Sequence, residues 1–251
     1  MSKLLAATYS IVIYGLFLGV FLYAIGFVEG VGVPKNIDSG VRSGMGTALL
    51  VDTGLLALFA LQHTIMARPA FKRAWTRIVP SALERSTFVL FASAALALLC
   101  WQWRPLPESV WDVSAPAGIA TLTVISWSGW ALLLISTFLI SHFQLFGLTQ
   151  GTAALRGIEA REAAFVTPLF YRYLRHPLYL GFILAFWATP RMSLGHLYFA
   201  IATTGYIFVG IWFEERDLIA HFGERYRQYR ASVPMIIPRL RLRSTRKQAA
   251  H

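Results

Sequence analysis

The chain is short of charge, and shorter still of acid. Only 14% of its 251 residues are Asp, Glu, Lys or Arg, with 12 acidic against 23 basic side chains. A soluble domain carries roughly a quarter. There is a single cysteine, Cys100. One thiol excludes an internal disulfide, and its apolar surroundings make it a small packing residue, not a nucleophile or zinc ligand. No Gly-rich phosphate loop and no zinc-protease motif occurs, and nothing in the chain calls for a metal. What is abundant is apolar: 56% of the residues are hydrophobic.

The apolar residues fall in long runs separated by short basic loops. Leu4 to Val28 carries no charge, and it exceeds the ~20 residues that cross a hydrocarbon core. It is too long for a signal-peptide core and lacks a clean cleavage site, so it reads as an uncleaved first helix. Further runs are Met45 to Met66, Ser86 to Trp103, Ala115 to Ser141, Leu178 to Thr189 and Leu194 to Phe213. The spacing predicts an all-α integral membrane bundle of about six helices. The Leu178 arm is short, ~18 Å at the α-helical rise, so five spans plus a re-entrant arm is the alternative. Pro190, Arg191, Met192 and Ser193 alone separate it from the last run, which predicts a tight helical hairpin.

Charge orients the runs. Arg68, Lys72, Arg73, Arg77 and Arg85 crowd one loop, whereas the next holds Arg104 against Glu108 and Asp112. The segment 142–175 and everything beyond Arg216 are basic again. Positive loops face the cytoplasm, so the net charge of +11 is a topological signal and not a nucleic-acid footprint, and both termini are expected inside. Trp101, Trp103 and Trp111 are expected near the outer interface. Residues 1–238 read as one membrane-embedded domain and 239–251 as a basic tail.

Polar residues gather at particular points. Arg175-His176-Pro177-Leu178-Tyr179-Leu180-Gly181 opens the short helix. Proline suits its first position, a helix N-terminus presents free N–H donors to an anion, and Gly181 permits a close approach. Glu214 and Glu215 end the last run; they either neutralise neighbouring arginines or accept hydrogen bonds from ligand hydroxyls. Leu218, Phe222, Tyr226 and Tyr229 recur at helical spacing around Gly223, which predicts an interfacial helix, and Val233–Pro238 an extended apolar segment. Asp52 lies inside the second run, where an ionisable group is costly. His63 follows eleven residues later on the same face. His142, Gln144 and Gln150 surround Gly147 just after the fourth run, as a pocket lining or an ordinary polar loop.

The Arg175–Gly181 segment, Glu214-Glu215, Phe222-Gly223-Glu224-x-Tyr226-x-x-Tyr229 and Val233-Pro234 together resemble the isoprenylcysteine carboxyl methyltransferase superfamily, over about residues 170–238. In the first half, Gln62-His63-Thr-Ile-Met-Ala-Arg68, Phe71-Lys72, Glu84-Arg85-Ser86 and His142-Phe-Gln-Leu-Phe-Gly147 are similar to the bacterial methanethiol S-methyltransferase branch. That branch also resembles membrane proteins associated with nitrite and nitric oxide metabolism. The resemblance implies an S-adenosylmethionine cofactor held by Arg175, His176, Pro177, Tyr179, Leu180, Gly181, Glu214 and Glu215. It implies a small volatile thiol as acceptor, methylated from a site that opens toward the cytoplasm in a bacterial inner membrane. His142 and His63 become candidates for the base, Gln144 and Gln150 for holding the acceptor, and Asp52 for the chamber wall. Ser232 stands where prenylcysteine enzymes commonly carry Arg before Val-Pro, which disfavours a carboxylate acceptor. The alternatives are methylation of a prenylcysteine or lipid, an NADPH-dependent reductase with a similar His-Pro-x-Tyr segment, and a transporter. No symmetric helix interruption favours the last.

Overall fold

The computed structural model describes residues 3–158 and 165–238. The basic tail expected at 239–251 therefore lies outside the described residues. The chain is a helical bundle: α1 (Lys3–Glu29), α2 (Met45–Ala67), α3 (Pro69–Trp75), α4 (Ser81–Gln102), β1 (Ser109–Asp112), α5 (Pro116–Ile140), α6 (His142–Leu145), α7 (Leu148–Arg156), a 3-10 turn (Leu169–Arg172), α8 (Pro177–Trp187), β2 (Arg191–Ser193), α9 (Leu194–Phe222) and α10 (Glu224–Ser232).

Among the described residues five helices are long and apolar enough to cross a bilayer: α1, α2, α4, α5 and α9. The protein is a multi-pass membrane protein. α8 has 11 residues, roughly 16 Å of helix, about half the ~30 Å hydrocarbon thickness. The described residues thus hold five full-length candidate spans and a sixth, shorter apolar helix. Proline marks helix starts at Pro69, Pro116 and Pro177, where its missing N–H has no intrahelical partner to lose.

Two differences from the sequence reading matter. First, the last span does not stop at Phe213. The charged residues Glu214 to Asp217 end the apolar run, but they are tolerated in a helix and α9 continues to Phe222. Gly223, at φ +58, breaks it, and α10 follows. Leu218 and Phe222 therefore belong to α9, and Tyr226 and Tyr229 to α10. Second, α8 and α9 do form the expected helical hairpin, with Phe186 on Phe199 and Trp187 Nε1 donating to Thr204 Oγ1 at 2.9 Å, but its connection is not a bare turn: Arg191–Ser193 is a strand. β2 pairs antiparallel with β1, with Asp112 opposite Arg191 and their side chains ion-paired at 3.2 Å. Loops are short of hydrogen-bond partners; here Leu194 N–H donates to Glu108 O and Gly195 N–H to Leu106 O.

The ribbon sets the directions of the helices. It joins the loop before α5 to the loop after α8, so α8 and residues 188–193 together reach that end. α5 and α8 run antiparallel, with Ser126 donating to Ala185 O and Gly129 set against Gly181. α2 and α9 run parallel: Thr53 meets Tyr198 at 2.6 Å, Thr64 meets Tyr206 at 3.2 Å and Arg68 meets Asp217 at 3.0 Å. Near the ribbon, all the long helices share one core that includes Phe27, Leu55, Leu99, Trp103, Trp130, Phe186 and Phe199. At the opposite end the core divides. One part joins α1, α2 and α4 through Ile13, Met66, Phe88 and Val89. The other joins α8, α9 and the C-terminal segment through Ile207, Ile211 and Ile236.

Candidate functional site

The start of α8 lies at the divided end. Its first residue, Pro177, is buried, and His176 caps it from a non-helical conformation. The early N–H groups of a helix lack intrahelical acceptors. Immediately upstream, Arg175 N–H donates to Pro234 O and His176 N–H to Met235 O. The C-terminal segment therefore lies against the mouth of α8, held by two backbone hydrogen bonds. Ile236 anchors it in the apolar cluster with Ile207, Ile211 and Leu180.

The adjacent glutamates have opposite surroundings. Glu215 is buried and saturated. Its Oε1 lies 2.9 Å from Arg175 Nε and 3.1 Å from His176 Nε2, and its Oε2 lies 3.0 Å from Arg230 Nε. The Arg175 contact is an ion pair set off the N–H axis, since that donor makes no aligned hydrogen bond. Arg175 also donates to Arg230 O at 2.6 Å. Glu215 thus ties the α8 mouth to α10. Glu214 is 44% exposed. Its carboxylate faces Tyr179 and lies 3.9 Å from His176 Nδ1. Of the two, Glu214 is the one with a carboxylate open to a ligand.

Phenols surround the carboxylates. Tyr226 is buried and its hydroxyl has no partner among the described residues. Tyr229 donates to Tyr171 O at 2.6 Å. Burial, with Glu214 nearby, raises the Tyr171 phenol above its ordinary range. Burial likewise raises Tyr226, and it pushes Tyr229 up to about 12. These phenols stay protonated as donors at neutral pH. Gly181, read from the sequence as a ligand contact, is packed against α5. A Cβ there would come within 2.6 Å of Gly129 O and 2.8 Å of Leu133 N.

The candidate acceptor residues do not converge. Asp52 is fully buried and near the ribbon end, accepting Arg104 N–H on Oδ1 at 2.9 Å. It shares a helix face with His63, but eleven residues of helix separate them by roughly 16 Å. They cannot both reach one reacting atom. His142 is buried with both ring nitrogens engaged, Nδ1 with Thr137 Oγ1 and Nε2 with Tyr14 Oη, each at 2.8 Å. It stacks on Phe138, and burial lowers its pKa. Gln144 Oε1 accepts from Ser141, and Gln150 Nε2 donates to Gln144 O. His63 differs. It sits between Phe59 and Phe88, and its Nδ1 is buried without a partner among the described residues. Gln62 Oε1 and Gln150 Oε1 are likewise unpartnered among the described residues. Buried polar atoms left unpaired are uncommon and call for an explanation.

Sequence reasoning missed Arg230, Tyr171, Tyr206, Tyr14 and the Arg68–Asp217 pair. Arg230 and Asp217 look like ordinary charges of a basic tail, and tyrosines are common at helix mouths. No local pattern marks their partners, which lie 142 residues apart for Thr64 and Tyr206 and 149 for Arg68 and Asp217. Among the described residues no three His, Cys, Asp or Glu side chains converge as a metal site.

No protein-family model matches the chain, and no solved structure matches it either. It is 54% identical over 236 residues to methanethiol S-methyltransferase 1 of Bradyrhizobium diazoefficiens, covering 94% of this chain and 83% of that protein. It is 52% identical over 238 residues to methanethiol S-methyltransferase of Mycobacterium tuberculosis, covering 95% and 98%. More distantly it is 34% identical over 189 residues to Nurim of Xenopus laevis, covering 70% and 64%. Two relatives so similar over almost the whole bundle, spans and α8 mouth alike, place it: the chain belongs to the methanethiol S-methyltransferase family.

Proposed function

We propose that the protein transfers a methyl group from S-adenosylmethionine to methanethiol, giving dimethyl sulfide, at the divided end of the bundle. The observation that carries the cofactor assignment is the contrast between the two glutamates. Glu215 is consumed by Arg175, His176 and Arg230, whereas Glu214 is open beside Tyr179. A half-exposed carboxylate suits ribose hydroxyls or a cationic centre. The N–H groups at the start of α8 suit a carboxylate, and the buried unpaired hydroxyl of Tyr226 suits a polar ligand atom. This donor set fits S-adenosylmethionine, which combines all three features. The acceptor assignment draws its support from the names and extent of the relatives.

S-adenosylmethionine supplies an electrophilic methyl on a positive sulfur, and its leaving thioether needs no proton. The protein has to align the acceptor, exclude water and take the thiol proton, because the thiolate is the nucleophile. Alignment can contribute ~7–11 kcal/mol in favourable cases. His63 is the better placed base, having a buried unpaired nitrogen where His142 has none. Phe59 and Phe88 flank it and make an apolar seat for a methyl-bearing thiol. The unpaired Gln62 and Gln150 oxygens can hold its S–H before transfer. Tyr14 and Thr137 fix His142 as a wall. The acceptor reaches this seat from the bilayer of a bacterial inner membrane, and the α8 mouth faces the cytoplasm.

The test is purified protein in detergent with S-adenosylmethionine and methanethiol, read by headspace gas chromatography. Dimethyl sulfide is expected from wild type, with a large loss in His63→Ala and Glu214→Ala. Cofactor binding without methylation of any small thiol would refute the acceptor assignment and redirect it to prenylcysteine or lipid. Binding of NADPH instead would refute the cofactor assignment.

A further inference from the structure

The divided core leaves the two halves of the proposed reaction on separate blocks. His63 rides on α2, whose apolar contacts at this end run to α1 and α4. Glu214 rides on α9, whose apolar contacts run to α8 and the C-terminal segment. Each block is packed internally, and neither apolar cluster includes a residue of the other. What joins α2 to α9 here is one edge-on ring contact, Phe59 with Tyr206 at 6.4 Å between centroids, and otherwise polar groups. Thr64 and Tyr206 meet through their hydroxyls at 3.2 Å. One turn further on, Arg68 reaches Asp217 at 3.0 Å, lies over the Phe213 ring at 4.6 Å and donates from Nε to Thr64 O.

Arg68 is therefore five residues beyond His63, and it grips the two residues that bracket Glu214 on α9. Phe213 is the neighbour before Glu214, and Asp217 lies nearly one turn after it. The grip has geometric specificity: a planar guanidinium ion-pairs in its plane and stacks through its face. Its side chains are 28% and 45% exposed, so the pair contributes little to global stability. What it sets is register, meaning the distance and angle between the helix that carries the acceptor seat and the helix that carries the cofactor carboxylate.

We propose that Arg68 and Asp217 are a positioning pair that registers the acceptor block against the cofactor block. The inference rests on the reading that methyl transfer takes place between His63 and Glu214. An in-line displacement is sensitive to this register, because a displacement near 1 Å can cost up to about 100-fold in rate. Neither residue touches the reacting atoms. Loss of the pair is expected to act on turnover while the cofactor still binds its own intact block.

The experiment compares wild type, Arg68→Asp, Asp217→Arg and the charge-exchanged double variant. Four quantities are read: kcat and KM for methanethiol, S-adenosylmethionine affinity, thermal stability in detergent, and amide hydrogen exchange of α2 and α9. Each single variant is expected to lose about tenfold in kcat, with cofactor affinity and melting temperature near wild type and faster exchange confined to the ends of α2 and α9. The double variant is expected to recover both kcat and protection. A single variant with wild-type kcat and exchange would overturn the proposal. So would a loss that the exchange of charges fails to restore, or one matched by an equal loss of cofactor binding and stability. The exchange measurement reads the pair whatever the acceptor is, so absence of dimethyl sulfide from wild type would count against the reaction and leave the pair decided by protection.

Discussion

Replacing Gly181 by Ala tests how the α8 mouth is held. The added Cβ would lie 2.6 Å from Gly129 O and 2.8 Å from Leu133 N, both backbone atoms of α5. No flexible side chain can yield. Restoring ordinary contact requires the two helices to separate by about 0.8 Å, an overpacking that costs up to ~3 kcal/mol. Alanine returns ~1 kcal/mol of helix propensity over glycine. The net loss is about 2 kcal/mol, or roughly 4–8 °C in melting temperature for a chain of this size. Because His176 and Tyr179 travel with α8, turnover should fall by about 10–100-fold. Gly205→Ala is the control, since a Cβ there meets nothing within 4 Å. The assay is thermal unfolding in detergent alongside dimethyl sulfide production. If Gly181→Ala behaves like Gly205→Ala in both, the crossing does not position the site.

Four further outcomes are expected. Glu215→Gln should destabilise by about 3 kcal/mol by stranding the buried Arg175, whereas Glu214→Gln should unfold near wild type yet bind S-adenosylmethionine about 10–100-fold more weakly; calorimetry and melting separate the two. Burial holds the pKa of His142 below its ordinary 6.5, so the unfolded chain takes up that proton first. Stability is then full above about 6.5 and declines as pH falls toward the folded pKa, and His142→Phe should remove that part of the slope in melting scans. Asp52→Asn keeps an acceptor for Arg104 N–H and should leave turnover intact, while Asp52→Leu orphans that donor and should cost about 1–3 kcal/mol in stability. Reporter fusions near Lys35 and Glu108 should read outside and those near Arg73 inside; the reverse would invert the proposed orientation.

The spans were legible because their cause is local. A bilayer demands a continuous apolar stretch with its backbone bonds closed inside one helix, and α1, α2, α4 and α5 begin and end within a few residues of their apolar runs. The α8 mouth was legible for a similar reason, since Pro177 announces a helix start from its own ring. α9 exposed the limit of hydropathy: charge ends a membrane run without ending a helix, so Glu214 and Glu215 looked like a terminus when they lie within the helix.

Long-range partners decided the rest. Nothing in the Glu214-Glu215 dipeptide distinguishes its members, but successive helical residues point about 100° apart. One therefore meets Arg175, His176 and Arg230, and the other meets Tyr179 with its carboxylate half open to solvent. His142 and His63 are equally plausible bases in sequence. Tyr14, 128 residues away, ties up one of them, and among the described residues no partner reaches Nδ1 of the other. Gly181 suggests a close approach, and only the crossing with Gly129 says that what approaches is a helix. Apolar length is a property of consecutive residues and is written along the chain. Which polar atom is left unpaired depends on what the folded chain brings beside it.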